Sequence, residues 1–433
     1  MDKFKGPLLI AYPDSFDSGI KGLSDFSKLT SFNSVHVLPF HPSDGDGGFS
    51  VVDYEAVDGL FGGWSDIKEL SAHKAVMCDL ILNHCSFDNK QFTPDFFIKY
   101  AELPEHDKIF RPRESPLFTK RGGSYFWTTF SDKQFDIDFT NPLVETKFKR
   151  IIDNYFDNGI LAVRLDAVGY VWKDLSTTSF CHPESFEITK GYDAYVKSLG
   201  GVSISEVNAP MDLNKKFLDV SGFIYNFDLT SKLAYSMWKG NASSIKELEF
   251  SDRFINPVSV HDGIPLLPLK EKAYGFAREL EDGGFYVAYN SKRVPYELNS
   301  SLVSLFGKEG VECLFAVNFF VPGVGACFIN DFCGVGNNEV VKGRSIHRSK
   351  SLDGSFKADL NNIIHAAGDL QGDFEVLASP DEIFFARRGD CYCAVNFSDK
   401  SVDFPLSGFD IISHKGFDVK GLDAKSFIWF TEK

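Results

Sequence analysis

The chain has 433 residues, 43% of them hydrophobic and 15% aromatic, with a formal net charge of −15. That is core enough for one large α/β unit with one or two small additions, while the acid excess argues against nucleic acid or an anionic membrane as partner, since both call for a basic surface. No stretch reaches the roughly 18 to 20 apolar residues that span a bilayer, and Met1 to Pro7 show neither the apolar run nor the small-residue cleavage site of a secretory signal.

Short β-branched and apolar runs alternate with longer amphipathic stretches, the pattern of repeated βα units around a parallel sheet. Strands are predicted first at Leu8 to Tyr12, Ser34 to Phe40 and Ala75 to Leu82. From about Cys85 to Asp138 the sequence is too long and irregular for a βα connection, and its Arg111-Pro112-Arg113 and Gly122-Gly123 punctuation predicts a small excursion domain over 85–138. Strands resume at Leu161 to Asp166, Val202 to Glu206, Phe223 to Phe227, Pro257 to His261 and Gly325 to Ile329, with helices such as Leu143 to Asn158 and Ser301 to Phe319 between them. Eight strands with intervening helices make a (β/α)8 TIM barrel over 1–84 and 139–371. Beyond about Gly372 the pattern turns to short alternating segments (Glu382 to Ala386, Cys391 to Phe397, Ser426 to Phe430), which predicts a C-terminal antiparallel β domain over 372–433. The eight Cys lack CxxC pairing, so no zinc or other metal site is expected and a reduced, cytoplasmic setting fits. Cys391 and Cys393 share a strand face as small hydrophobes, and most of the 44 Phe belong to the core.

Three acids stand at predicted strand ends, where barrel enzymes keep their active sites. Strand four reads Val163-Arg164-Leu165-Asp166, and period-two alternation turns Arg164 and Asp166 to the same side. An Arg beside a carboxylate favours the ionised form that a nucleophile needs. Strand five ends in Glu206 and strand seven in His261-Asp262-Gly263. A retaining glycoside-cleaving reaction needs one ionised carboxylate and one protonated carboxyl about 5–5.5 Å apart, which neighbouring strands four and five can supply. Taken singly, each acid reads equally well as a buried ion pair or a helix cap. Three at strand ends favour catalysis.

Asp79-Leu80-Ile81-Leu82-Asn83-His84, Arg164-Leu165-Asp166, Glu206 and His261-Asp262 resemble, in order, the four sequence regions of the α-amylase superfamily, glycoside hydrolase family 13. The resemblance implies Asp166 as nucleophile, Glu206 as general acid/base and Asp262 as transition-state stabiliser, with His84, Arg164 and His261 holding glucose. Leu38 to Phe49 and Gly343-Arg344-Ser345-Ile346-His347-Arg348 are similar to the sucrose phosphorylase subfamily, which implies that Asp46 and Arg348 close the glucose pocket and that Phe49 and Phe130 form its apolar gate. Arg113 of the Arg-Pro-Arg loop and Tyr170 are implied for the phosphate site. Asn208 stands where sucrose phosphorylases place a histidine, and Tyr296-Glu297 stands where their acceptor loop has Tyr-Gln. With Arg113 to Thr119, these departures resemble the glucosylglycerate and glucosylglycerol phosphorylase branch. The expectation is a retaining phosphorylase acting on a small α-glucoside (glucosylglycerate, glucosylglycerol or sucrose), with inorganic phosphate as co-substrate, no cofactor, and a monomeric or homodimeric state. An α-glucosidase or transglucosidase, and a non-catalytic sugar-binding relic, stand as alternatives.

Overall fold

The computed structural model describes residues 4–350, 352 and 354–432, and the backbone but not the side chain of Asp46. Eight parallel strands close into a barrel in chain order: β1 (Leu8–Ala11), β2 (Ser34–Val37), β3 (Ala75–Ile81), β4 (Ile160–Asp166), β5 (Val202–Ser205), β6 (Phe223–Tyr225), β7 (Phe254–Pro257) and β8 (Val324–Phe328), with β8 hydrogen-bonded back to β1. All are buried along nearly their whole length, as expected of strands covered on one face by helices and on the other by packed barrel side chains.

Six strands fall within a residue or two of their predicted positions, and β2 ends at Val37, three residues short of the predicted Phe40. The larger displacement is in β7, which runs Phe254–Pro257 rather than Pro257 to His261. Pro257 is its last ladder residue, not its first. Val258 donates its N–H to Ala326 of β8, so alternation turns the missing N–H of Pro257 towards β6, whose pairing with β7 has already ended at Tyr225 and Ile255. His261 and Asp262 therefore lie past the ladder, in a turn closed by the Gly263 N–H on the Val260 carbonyl.

Between β3 and the helix Leu143–Asp157, the chain makes an antiparallel bridge of His84–Cys85 with Phe135–Asp136 and a three-stranded sheet of Lys99–Tyr100, Phe118–Arg121 and Ser124–Trp127. Ile109, Leu117, Phe118 and Trp127 give this segment a small core of its own. The helix Leu302–Phe320 starts on Ser301, whose side chain accepts from the Ser304 N–H, the N-cap arrangement. The C-terminal six-stranded antiparallel sheet packs on that helix: Phe320 meets Trp429 edge to face at 5.2 Å. Cys393 is wholly buried there, and all eight Cys are unpaired. Among the described residues, Phe409 is the one Phe counted with the exposed large apolar side chains, and no helix is long and apolar enough to cross a membrane.

A further three-stranded sheet follows β7: Ile264–Pro265, Tyr286–Tyr289 and Pro295–Asn299. The sequence reading takes 294–299 as a loop; it is a fully buried strand. Gly263 makes its approach possible. Its φ is +112°, and a Cβ there would stand 2.5 Å from the Leu298 carbonyl oxygen, so the Asp262-Gly263 turn and the Glu297 strand come together only with glycine at 263.

Candidate active site

The carboxyl ends of β3, β4, β5 and β7 converge on one cleft. Behind its wall lies Arg164, nearly wholly buried on β4. Its Nη1 donates to Oδ1 of Asp79 and to Oδ1 of Asp166, 2.5 Å each, and its Nη2 stands 3.7 Å from Oε2 of Glu206. One guanidinium thus serves three carboxylates. Burial raises Asp166 well above the ordinary carboxyl range even against Arg164, and it raises Glu206 too. The sequence reading, in which Arg164 alone keeps Asp166 ionised, needs that correction. Burial also opposes ionisation of Asp79, but His36 and Arg164 outweigh it and hold Asp79 at about 2. Within the Asp166–Glu206 pair the direct Arg164 bond goes to Asp166.

Ala167 completes this corner. It adopts a left-handed conformation (φ 53°) at the tip of β4, and its N–H donates to Oε2 of Glu206 at 3.0 Å. A non-glycine residue in that region carries a strain cost of about 1–3 kcal/mol; here the turn aims one backbone donor at the second carboxyl group and leaves its other oxygen for a proton. Nothing in the sequence marks Ala167 for this position.

Asp262 receives three cationic or polar neighbours: Arg344 Nη1 at 2.7 Å, Arg348 Nη2 at 3.1 Å and His261 Nε2 at 3.4 Å. Burial works against its charge, but Arg344, His261 and Arg348 hold it far below the usual carboxyl range. His261 is itself pushed well below the usual imidazole range by burial, and its ring stacks on Phe49 at 5.3 Å, 4° from parallel. His84 packs against Phe130 at 4.9 Å, and Phe130 meets Tyr170 edge to face at 5.4 Å.

At the mouth, Glu297 is 3% exposed, not turned to solvent. It accepts from Arg344 through both oxygens, Nε to Oε1 and Nη2 to Oε2 at 2.8 Å each, and Arg113 Nη1 stands 3.9 Å from Oε2. The order Arg113, Glu297, Arg344, Asp262 is a row of alternating charge from the mouth inwards.

Of the sequence-predicted residues, Asp166, Glu206, Asp262, Phe49, His84, Phe130, Arg113, Tyr170, Asn208, Tyr296 and Glu297 line this one cleft. Arg164 and His261 lie behind its wall. Arg348 does too: it bonds the His261 carbonyl through Nε at 2.6 Å as well as Asp262, so it braces Asp262 rather than lining the cleft. The side chain of Asp46 lies outside the described residues. Arg344 and Gln134, assigned no role by the sequence reading, line the cleft. Among the described residues there is no cluster of His, Cys, Asp and Glu placed to hold a metal ion.

Residues 18–219 match the alpha-amylase catalytic domain. Over those residues the chain carries the catalytic domain of the alpha-amylase family. Similar proteins include a glucosylglycerate phosphorylase of Spirochaeta thermophila, 27% identical over 93% of this chain and 82% of that one, and a sucrose phosphorylase of Streptococcus mutans, 26% identical over 79% and 81%. A glucosylglycerate phosphorylase of Allomeiothermus silvanus is 32% identical over 68% of this chain and 60% of its own length. Among solved structures, sucrose 6F-phosphate phosphorylase from Thermoanaerobacter thermosaccharolyticum has the same fold, with a TM-score of 0.84 at 22% identity over 96% of this chain and 98% of that one.

Proposed function

We propose that the chain is a retaining phosphorylase that transfers glucose from a small α-glucoside with an acidic aglycone, glucosylglycerate foremost, to phosphate. Asp166 attacks the anomeric carbon while Glu206 gives its proton to the departing oxygen, so the bond to the aglycone breaks as the glucosyl-aspartate bond forms. A phosphate oxygen then attacks the same carbon, Glu206 takes back a proton, and Asp166 leaves as carboxylate, releasing α-glucose 1-phosphate. His84, Phe49 and Phe130 would enclose the glucose, and Asp262 would accept its hydroxyl groups as positive charge develops on the ring.

The observation that carries the reading is the pair of guanidiniums at the mouth of a cleft whose floor is carboxylate. Arg344 is bound to both Glu297 and Asp262, whereas Arg113 stands 3.9 Å from Glu297 and is the cation left to meet an anion. Phosphate and the carboxylate of glycerate are both anions of bidentate geometry, and they use the mouth in successive steps. Similarity to two glucosylglycerate phosphorylases supports the same choice. The test is a reverse-reaction screen: α-glucose 1-phosphate offered with glycerate, glycerol, fructose and phosphorylated sugars. Phosphate release with glycerate ahead of glycerol is expected; a clear preference for a neutral acceptor sinks the acidic-aglycone reading.

A further inference from the structure

Beneath the cleft lies an ammonium that the reaction scheme does not use. Lys173 is 4% exposed, and its Nζ contacts Asp136 Oδ2 at 2.8 Å, Asn83 Oδ1 at 2.6 Å and the Tyr170 carbonyl oxygen. Asp136, wholly buried, also accepts from the Thr129 N–H at 2.8 Å, the Thr129 hydroxyl at 2.5 Å and Asn83 Nδ2 at 3.0 Å. Asn83 Nδ2 is in turn 3.2 Å from Nδ1 of His84. The three residues that meet at this ion pair, Asn83, Thr129 and Tyr170, respectively adjoin His84, adjoin Phe130 and line the cleft.

The amide of Asn83 has one possible orientation. Its oxygen faces an ammonium, which has only donors, and its nitrogen faces a carboxylate, which has only acceptors. Reversing it would set the amide oxygen against Asp136 and the amide nitrogen against Lys173. An amide N–H therefore points at His84 Nδ1, and that nitrogen must offer a lone pair. We infer that the Lys173–Asp136 pair, acting through Asn83, fixes the tautomer of His84 with its proton on Nε2, and that this proton in turn sets the Gln134 amide beside it, both side chains lining the cleft.

One contact runs the other way. Gln134 Nε2 lies 2.9 Å from His84 Nε2, which sets donor against donor once Nε2 carries the proton. The Gln134 amide is free to turn: its Oε1 partner is the hydroxyl of Ser131, at 2.7 Å, which donates or accepts equally well, and its other bond, to the Phe49 carbonyl, is long at 3.5 Å. Of the two amides beside His84, Asn83 is held by full charges and Gln134 is not, so Gln134 presents its oxygen to Nε2. Lys173 and Asn83 are positioning residues, and their bearing on turnover rests on the cleft holding the glucosyl unit.

The tautomer is read on the free protein by ¹⁵N–¹H correlation of the histidine rings, the His84 signal being assigned by its loss in His84→Gln. The unsubstituted protein is expected to show a proton on Nε2 and a bare Nδ1; a proton on Nδ1 overturns the inference whatever the enzyme does. Asn83→Asp keeps an acceptor for Lys173 but has no N–H for the ring, so the His84 proton should move to Nδ1. With Nε2 turned acceptor, the Gln134 amide turns as well and the polarity of this part of the cleft reverses, so kcat/KM for α-glucosyl fluoride and for the natural glucoside should fall together by roughly tenfold or more, on the scale of one buried hydrogen bond lost. KM for phosphate should hold. An unmoved proton, or a moved proton with unchanged kcat/KM, refutes the positioning role. Because the spectrum needs no substrate, a failure here is distinguishable from a failure of phosphorolysis.

Discussion

Replacing Arg344 by Lys keeps the charge and removes the fork. Arg344 makes three charge-assisted bonds, two of 2.8 Å to Glu297 and one of 2.7 Å to Asp262. A single ammonium reaches one of those carboxylates, so at least two bonds are lost. At about 1.5 kcal/mol each, the low end for bonds to charged groups because the side chain is one-fifth exposed, the loss is ~3 kcal/mol. At ~1.36 kcal/mol per decade, that is on the order of 10²-fold in kcat/KM. The loss should divide by substrate. Phosphorolysis of an acidic glucoside, and synthesis with glycerate, need the whole charge row and should take the full effect. Glucosyl fluoride, with no aglycone to orient, should lose only what Asp262 loses. The assay is initial-rate kinetics in both directions with these donors and acceptors. Parent-like rates within threefold on every substrate, in a folded variant, would show that Arg344 is a surface brace with no part in the site.

Asp166→Asn should abolish turnover while raising the melting temperature near neutral pH. Burial raises the Asp166 carboxyl well above its ordinary range; a group shifted that way costs the fold stability as pH rises from the ordinary Asp value of about 3.9 through its folded value, and the amide removes that cost. A lowered melting temperature, or residual activity within tenfold of the parent, would count against the assignment. Glu206→Gln should spare glucosyl fluoride far more than natural glucosides, since general-acid assistance is worth roughly 10²- to 10⁴-fold and fluoride forgoes it; equal losses would give Glu206 another task. Asp79 is held at about 2, so its stabilising share is complete above the ordinary Asp value of about 3.9 and is lost as pH falls from there towards 2; acid titration of Asp79→Asn should lack that limb, and an unchanged limb would contradict it. Glu297→Gln leaves one acceptor oxygen for the Arg344 fork, so KM for phosphate and for glycerate should both rise; an unaltered acceptor ranking with unaltered KM values would remove Glu297 from acceptor choice.

The barrel was legible because β-branched runs recur at βα spacing, and the acids because they close those runs. What escaped the sequence arose from contacts between distant segments. The β7 ladder ends at Pro257, and only the neighbouring strands decide which side of a proline lacks its bond. Arg344 sits in a short turn at Gly343–Ile346, 47 positions from the Glu297 it grips; the motif there directed the reading to Arg348, which braces Asp262 instead. Pro295–Asn299 read as a loop because its pairing partners, Ile264–Pro265 and Tyr286–Tyr289, are too short to announce themselves. The charge on Asp166 could not be judged from Arg164 alone, since Asp79 and Glu206 share that guanidinium and burial opposes all three. Ala167 carries no signal at all; its left-handed turn exists to point an N–H at a residue 39 positions on.

The most direct test of the proposed reaction is its dependence on phosphate. With glucosylglycerate as donor, sugar release is measured with and without inorganic phosphate, and glucose and glucose 1-phosphate are quantified separately, with the anomer of the phosphate ester assigned by NMR. The account predicts turnover that requires phosphate and yields the α-anomer of glucose 1-phosphate. Free glucose formed at the same rate whether or not phosphate is present would contradict it.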